Sequence, residues 1–285
     1  MKKEKSDIIY HYCTLQGFLG IIQNASLWMS DISKSNDDLE CIYGRNQIKH
    51  RIEQEIEANM EAMHEWEMGY EMNSDMHDSM LTYVACFSEK EDCLSQWRGY
   101  ADDGKGMAIG FNKKVLEQLV KLENYNLRFA KVIYDKNEQG RYVERVVKEN
   151  LKRIEKTGAR HAALELNTNY RMEFSRYKHP SFAEEEEWRL VLNSYPFGRE
   201  LKVGSMIFAE PKYRIANGKL ISYRELCFSN IKENFVREIW IGPKADVELR
   251  DIMQVLRRYQ YYDNAESGYS FSEPILITRS SSSYR

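Results

Sequence analysis

The first part of the chain carries apolar positions in two different periods. Residues 8–12 and 26–30 are short runs rich in apolar and aromatic side chains, which predict strands. Between them, residues 15–22 place apolar side chains at i, i+3, i+4 and i+7, the spacing of one helix face, and Thr14 is a suitable N-cap. The pattern therefore predicts a strand, a helix and a strand, followed by a polar loop over residues 31–38.

Longer periodic segments predict helices in the middle of the chain. Residues 43–70 repeat Ile and Met every three or four positions among many Glu, and the segment continues with less periodicity, so we predict a helical insertion over residues 43–80. Residues 142–167 predict one long helix, and residues 81–88, apolar on both faces, predict a central strand. Shorter strands are predicted at residues 107–111, 127–134, 188–192, 220–223, 239–241 and 275–278 and around Ile207, and further helices at residues 115–122 and 247–259.

The order of these elements decides the predicted fold class. Strands and helices alternate without the strict βαβ rhythm and the Gly-rich first turn of a parallel nucleotide-binding sheet. We therefore predict an α+β fold with a mixed or antiparallel central sheet and flanking helices. No internal repeat, Pro/Ser linker or shift in composition divides the chain, so a single domain over residues 1–285 that includes the helical insertion is expected.

Charge and cysteine content narrow the classes of function. The 285 residues include 41 Lys plus Arg and 44 Asp plus Glu, a net charge of -3, so no global positive field favours broad nucleic-acid binding. The five cysteines are scattered and odd in number, which indicates a reducing, cytoplasmic setting without a disulfide framework or a zinc site. No apolar run approaches the ~18 residues of a membrane helix. Neither a membrane partner nor a metal is expected.

Ionisable side chains within predicted strands are the first candidates for chemistry, since a charge near a core must be paired, hydrated or functional. His11 and Tyr12 lie on the first predicted strand, although a histidine there is more often simply packed. Glu185 and Glu187 lie where a later strand opens, and alternation places them on one face with Arg189. A run of glutamates is usually a solvated edge, but paired carboxylates on a rigid strand can hold a ribose hydroxyl and stabilise a sugar cation.

A second candidate is the aromatic and basic segment that follows the central strand. Ser88 ends that strand, and Trp97, Arg98 and Tyr100 follow closely. A serine at a strand end is usually a cap, and two aromatics three positions apart usually form one buried helix face. The combination with an arginine and a Gly turn, however, could stack on an aromatic ligand and bind an anionic one through the guanidinium.

Short motifs spread along the chain resemble a large bacterial family known as a domain of unknown function. They are Tyr10-His11-Tyr12-Cys13-Thr14, Leu27-Trp28-Met29-Ser30-Asp31, Ser35-Asn36-Asp37-Asp38-Leu39-Glu40, Cys86-Phe87-Ser88, Leu94-Ser95-Gln96-Trp97-Arg98-Gly99-Tyr100-Ala101-Asp102, Gly106-Met107-Ala108-Ile109-Gly110-Phe111 and Glu187-Trp188-Arg189-Leu190. The resemblance runs over nearly the whole chain. It implies no activity, because the family is defined without one.

A weaker resemblance is to the ADP-ribosyltransferase superfamily, whose members carry a His or Arg on the first strand, a Ser or Tyr on a middle strand and a Glu that opens a later strand. His11, Ser88 and Glu187 occupy those places, and Glu185 completes an E-x-E pair. The resemblance implies that His11 holds the adenosine-side ribose of NAD, Ser88 supports the nicotinamide-ribose pocket, and Glu187 binds the nicotinamide-ribose hydroxyl. Thr14 follows His11 by three residues instead of the usual two.

The leading hypothesis is an NAD-dependent ADP-ribosyltransferase-like protein, acting as a toxin or a phage-defence effector on an acceptor that the sequence does not name. Its expected catalytic residues are His11, Ser88, Glu185 and Glu187, and its expected NAD-binding residues are His11, Tyr12, Thr14, Ser88, Trp97, Arg98 and Tyr100. The alternative is a non-enzymatic nucleotide-sensing or protein-interaction module. A nuclease, with Asn36, Asp37 and Glu40 as its candidate residues, is a third hypothesis.

Overall fold

One mixed sheet of twelve strands organises the computed structural model, which describes residues 7–35, 38–72, 81–122, 126–195, 198–216, 218–261 and 274–284. The strands are β1 (Ile8–Cys13), β2 (Ser26–Asp31), β3 (Leu81–Ser88), β4 (Met107–Asn112), β5 (Leu127–Lys131), β6 (Glu187–Ser194), β7 (Leu201–Val203), β8 (Met206–Phe208), β9 (Lys212–Ala216), β10 (Lys219–Cys227), β11 (Val236–Ile241) and β12 (Leu276–Arg279). Asn36, Asp37 and the side chain of Glu40, the candidate residues of the nuclease hypothesis, lie outside the described residues.

The helices flank this sheet. They are α1 (Leu15–Asn24), α2 (Asp38–Ile56), α3 (Met60–Met72), α4 (Leu94–Tyr100), α5 (Lys113–Leu122), α6 (Lys136–Thr157), α7 (Ala159–Phe174), α8 (Lys232–Phe235) and α9 (Leu249–Arg258), with short 3₁₀ helices at Ile32–Lys34, Asp102–Gly104, Pro180–Glu185 and Ser229–Ile231. Within the described residues, no helix combines the length and apolar character needed to cross a membrane.

The sheet order confirms the predicted α+β class with a mixed, mostly antiparallel sheet. Its path runs β12, β11, β4, β1, β3, β2, β10, β8 and β7, while β6 pairs with β3 and β5, and β9 pairs with β10. β11 and β12 are parallel, and every other pairing among the described strands is antiparallel.

The middle of the sheet splits along one edge of β3. β6 pairs with all of β3, but β1 meets β3 only at Tyr10 opposite Ser88, whereas β2 meets β3 further back, with Ser30 opposite Val84. Since β1 and β2 both run antiparallel to β3, they are parallel to each other, and α1 connects them. The two strands leave a gap between them, at the end of β3 that carries Cys86 and Ser88.

Two apolar cores lie on opposite faces of the β3–β6 pair. Phe87 packs in the main core, whereas Val84 packs in a second core that the helices α2, α3, α6 and α7 form around Trp66 and Phe174. Alternate residues of a strand point to opposite faces, so one strand serves both cores. The helices of the predicted insertion therefore cover the sheet, while residues 73–80 of that insertion lie outside the described chain. The single-domain organisation stays a prediction.

Three predicted element boundaries are wrong. The long helix over residues 142–167 is two helices, because Gly158 ends α6 with a φ of +89° that other residues rarely adopt. The helix over residues 43–70 is also interrupted, since Asn59 accepts a hydrogen bond from the Ala62 amide and begins α3. The strand predicted at residues 127–134 ends at Lys131.

Candidate functional site

His11 bridges the gap in the sheet with its side chain. Beyond the Tyr10–Ser88 pair β1 no longer pairs with β3, and the Cys86 carbonyl instead lies 2.9 Å from His11 Nδ1. A carbonyl oxygen only accepts, so Nδ1 carries the proton and donates it. In the neutral imidazole Nε2 is then an acceptor. Burial lowers the pKa of His11 below its ordinary value of 6.5, which keeps this neutral form at pH 7.

Glu185 and Glu187 belong to a buried four-residue cluster of two acids and two bases. Lys178 Nζ lies 2.6 Å from Glu185 Oε2 and 2.9 Å from Glu187 Oε2. Arg189 binds Glu187 with two groups, Nε to Oε1 at 2.8 Å and Nη2 to Oε2 at 3.0 Å. The four residues are at most 5% exposed, and their formal charges cancel. Glu187 and Arg189 share one face of β6 as predicted, whereas Glu185 ends a 3₁₀ helix and reaches the cluster through the left-handed turn at Glu186.

The cluster fixes the ionisation of Glu187. Burial alone would raise the pKa of this carboxyl, but the charges of Arg189 and Lys178 outweigh burial and lower the pKa to about 2. Glu187 is consequently an anion at neutral pH. Its oxygens accept from both cations and from the Cys86 thiol, and its backbone amide donates to the Tyr134 hydroxyl at 3.0 Å. Arg189 Nη1 also donates to the Ser175 carbonyl at 2.5 Å, which anchors the cluster to the end of α7.

A small cavity of about 40 Å³ brings the strand residues together with α4. Its walls include His11, Tyr12, Gln96, Tyr100, Glu185 and Glu187. Burial is the main cause that raises the pKa of the Tyr100 phenol, so this side chain is a neutral donor at pH 7. The space holds water or one small functional group. It places the imidazole, an amide, a phenol and an ionised carboxylate around one point.

A much larger cavity of about 650 Å³ shares His11 with the small one. It lies where β1 and β2 separate, and α1 covers it through Gln16, Gly17 and Leu19. A volume of this size suits a ligand of nucleotide dimensions. Thr14 lies in its wall, where its Oγ1 also accepts a hydrogen bond from the Gly17 amide at 3.0 Å. His11 therefore stands at the junction of a large cleft and a small, charged recess.

Three predicted site residues line neither of these cavities. Ser88 Oγ donates to the Glu185 carbonyl at 2.6 Å and thereby holds the turn that precedes β6. Trp97 is fully buried and packs edge-on against Tyr12, with ring centroids 4.7 Å apart. The guanidinium of Arg98 lies 4.5 Å from the ring centroid of Tyr284. Their binding or catalytic roles stay predictions.

The wall formed by α4 is held by the C-terminal segment. Asp92, just before α4, accepts from Trp97 Nε1 at 2.7 Å and from Ser280 Oγ at 2.6 Å. Its other oxygen accepts from the backbone amide and the hydroxyl of Ser281 at 2.9 and 3.1 Å. Together with the stacking of Tyr284 on Arg98, these bonds clasp residues 280–284 onto α4.

Sequence reasoning missed three polar side chains of the site. Lys178 was assigned no role from the sequence, and its burial depends on Glu185 and Glu187, which follow it in the chain. Gln96, 7% exposed, belongs to the aromatic segment but was assigned no role. Arg214 lines the large cavity from β9, a strand that the apolar pattern does not predict. Each of the three comes to the site through contacts between distant segments, which the sequence pattern around the residue does not indicate.

Residues 96–190 match the family model DUF2971, described as a protein of unknown function, which confirms the predicted resemblance to a domain-of-unknown-function family. No curated protein and no solved structure matches the chain significantly. The resemblance to ADP-ribosyltransferases thus has no support from these comparisons. In the described part of the chain, no three His, Cys, Asp or Glu residues are arranged to hold a metal ion. The matched region contributes Gln96, Tyr100, Lys178, Glu185 and Glu187 to the site.

Proposed function

We propose that this chain, whose residues 96–190 match the model of DUF2971, is an NAD-consuming ADP-ribosyltransferase-like enzyme. One observation carries this proposal. His11 on the first strand and Glu187 at the start of a distant strand, two of the three residues that the superfamily resemblance selects, line one cavity next to a cleft of about 650 Å³. Two residues 176 positions apart in the chain are brought to one cavity by the pairing of β1 and β6 with β3.

The chemistry follows from the charges around the small cavity. The bond between the ribose anomeric carbon and the nicotinamide nitrogen breaks, and its electron pair leaves with nicotinamide. The ribose cation that remains would be stabilised by the ionised Glu187, since an oriented anion in a buried site requires no reorganisation. A ribose hydroxyl would donate a hydrogen bond to His11 Nε2. An acceptor, or water, then attacks the anomeric carbon and loses a proton to Glu185, the second carboxylate that lines the cavity.

Release of nicotinamide from NAD, followed by chromatography, tests this activity directly. We expect Glu187→Gln to reduce the rate by ~100-fold or more, the usual effect of removing one preorganised electrostatic group. Glu186→Gln is the matched control, because Glu186 is the adjacent residue, pairs with Lys90 at the surface at 3.4 Å and does not line the small cavity. Equal turnover by the wild type and Glu187→Gln contradicts the role of Glu187.

A non-enzymatic nucleotide sensor is the second candidate, and a specific observation favours it. Arg189 and Lys178 already bind both oxygens of Glu187, and the cluster is neutral overall, which weakens the field that a ribose cation would meet. A sensor would bind NAD or ADP-ribose and raise the melting temperature without releasing nicotinamide, even with candidate acceptors present. Detectable nicotinamide release that depends on Glu187 excludes the sensor.

We also propose the toxin or phage-defence role, which follows from NAD consumption because loss of cellular NAD stops growth. Induced expression of the wild type should arrest the growth of a bacterial host and lower its NAD content, whereas Glu187→Gln at equal abundance should not. Growth arrest of the same size by both proteins, with NAD unchanged, would contradict this role.

A further inference from the structure

Among the described residues Arg214 has no acidic partner, so its positive charge faces the large cavity uncompensated. Its Nη2 donates to Ser30 Oγ at 3.1 Å, while its Nε is buried without a hydrogen-bond partner among the described residues. A guanidinium has five donor hydrogens, and a buried donor left unpaired is costly. An anionic ligand in the cavity would supply the missing acceptors.

The rest of the cavity wall is electrostatically suited to an anion. Its described lining includes Arg214, His11 and several side-chain amides, such as Gln16 and Asn24, but no Asp or Glu. The protein as a whole carries a net charge of -3, so a large cleft without a single acidic side chain departs from its average surface. Arg214 would attract a negatively charged ligand, and no carboxylate in the described lining would repel it.

Trp28 adds a flat surface next to this charge. The indole is 47% exposed, lies against Tyr223 with ring centroids 4.5 Å apart, and has the Arg214 guanidinium 5.4 Å from its own centroid. A half-exposed indole that a second aromatic ring supports is a rigid platform for stacking. The cavity thus combines a stacking surface, a cation and a volume of about 650 Å³.

From these contacts we infer that the large cavity binds the phosphate-bearing part of a nucleotide, with Arg214 as the phosphate ligand and Trp28 as the stacking surface. The inference rests on the proposed function only in taking this ligand to be the substrate that reaches His11. It makes Arg214 the residue that distinguishes a phosphorylated nucleotide from its nucleoside, because a neutral nucleoside gains nothing from the guanidinium.

Isothermal titration calorimetry with ADP and with adenosine tests the inference on the full chain. We expect Arg214→Gln to weaken ADP binding by roughly 10- to 100-fold, the usual effect of losing hydrogen bonds to a charged group, and to leave adenosine binding unchanged. Arg214→Lys should recover part of the ADP affinity, since it restores the charge but not the fork of donors. The matched control is Lys212→Gln on the same strand, because Lys212 pairs with Glu225 outside the cavity lining.

Three results would overturn the inference: no ADP binding by the wild type, equal ADP affinity in Arg214→Gln, or equal losses in Arg214→Gln and Lys212→Gln. Equal melting temperatures of these two variants ensure that a loss of affinity is not a loss of folding. The nicotinamide assay separates the two proposals. Arg214-dependent ADP binding without nicotinamide release supports the inference and rejects the enzyme, whereas nicotinamide release with an unchanged KM for NAD in Arg214→Gln rejects the inference and supports the enzyme.

Discussion

The buried acid–base cluster around Glu187 should make the stability of this protein depend on a single carboxylate. Glu187→Gln keeps the shape of the side chain but removes its charge, so Arg189 and Lys178 face only Glu185. The folded-state pKa of Glu187 is about 2, compared with an ordinary value of 4.5. At ~1.36 kcal/mol for each unit of pKa, the difference corresponds to about 3 kcal/mol of the free energy of unfolding at neutral pH.

The sign of this contribution gives the prediction a pH signature. Because folding lowers the pKa of Glu187, its stabilisation is fully present above pH 4.5 and is lost as the pH falls through about 2. The difference in unfolding free energy between the wild type and Glu187→Gln should therefore be about 3 kcal/mol at pH 7 and should shrink steadily below ~pH 4.5.

Urea denaturation followed by circular dichroism at pH 7, 5, 4 and 3 measures this difference. The surface variant Glu186→Gln should change stability by less than ~1 kcal/mol at every pH, because its partner Lys90 is also exposed. A Glu187→Gln protein as stable as the wild type at pH 7 would refute the reasoning. So would a deficit that stays constant between pH 7 and pH 3, because it would then arise from packing and not from the charge.

Further predictions concern three other parts of the structure. His11 should be neutral at pH 7 with its proton on Nδ1, as ¹⁵N chemical shifts would show, and acidification below pH 6.5 should destabilise the wild type more than His11→Gln, because the folded-state pKa is lowered. Gly106→Ala should cost ~2 kcal/mol or more in thermal unfolding, since a Cβ there would lie 2.1 Å from the Cys13 carbonyl oxygen, whereas Gly99→Ala, with open space around it, should be neutral or stabilising. Asp92→Asn should expose residues 280–284 to carboxypeptidase, and an unchanged digestion rate would show that the clasp is not held by Asp92.

The sequence predicted those parts of the fold that depend on local periodicity. Alternation correctly placed Glu187 and Arg189 on one face, because side chains of an extended chain alternate, but Glu185 joins them through a 3₁₀ helix and a left-handed turn at Glu186 that alternation does not predict. The periodicity of residues 142–167 correctly indicated helix but not its interruption at Gly158, since a glycine inside a helical pattern does not by itself end a helix.

The site was less predictable because its polar partners come from distant segments. Lys178 gains its partners only when the 3₁₀ helix that ends at Glu185 and the start of β6 at Glu187 pack against it. Arg214 reaches the large cavity only because β9 lies beside it. Ser88 shows that a residue type at a strand end does not by itself indicate a binding role. A serine there can also serve a structural purpose, and the Ser88 hydroxyl donates a hydrogen bond that holds the turn at Glu185. The local sequence pattern predicts which side chains share a face of a strand or helix, whereas the contacts of those side chains with distant residues depend on the sheet topology.

The contacts that hold residues 280–284 against α4 also determine when this part of the protein can fold during translation. Asp92 leaves the ribosome 188 residues before Ser280, which bonds to it. Until then, the helix that carries Gln96 and Tyr100 has no C-terminal segment to hold it, and the recess beside Glu187 lacks a finished wall. A nascent chain would thus complete the wall of this recess only after residue 280 has been added, so the recess forms late in synthesis.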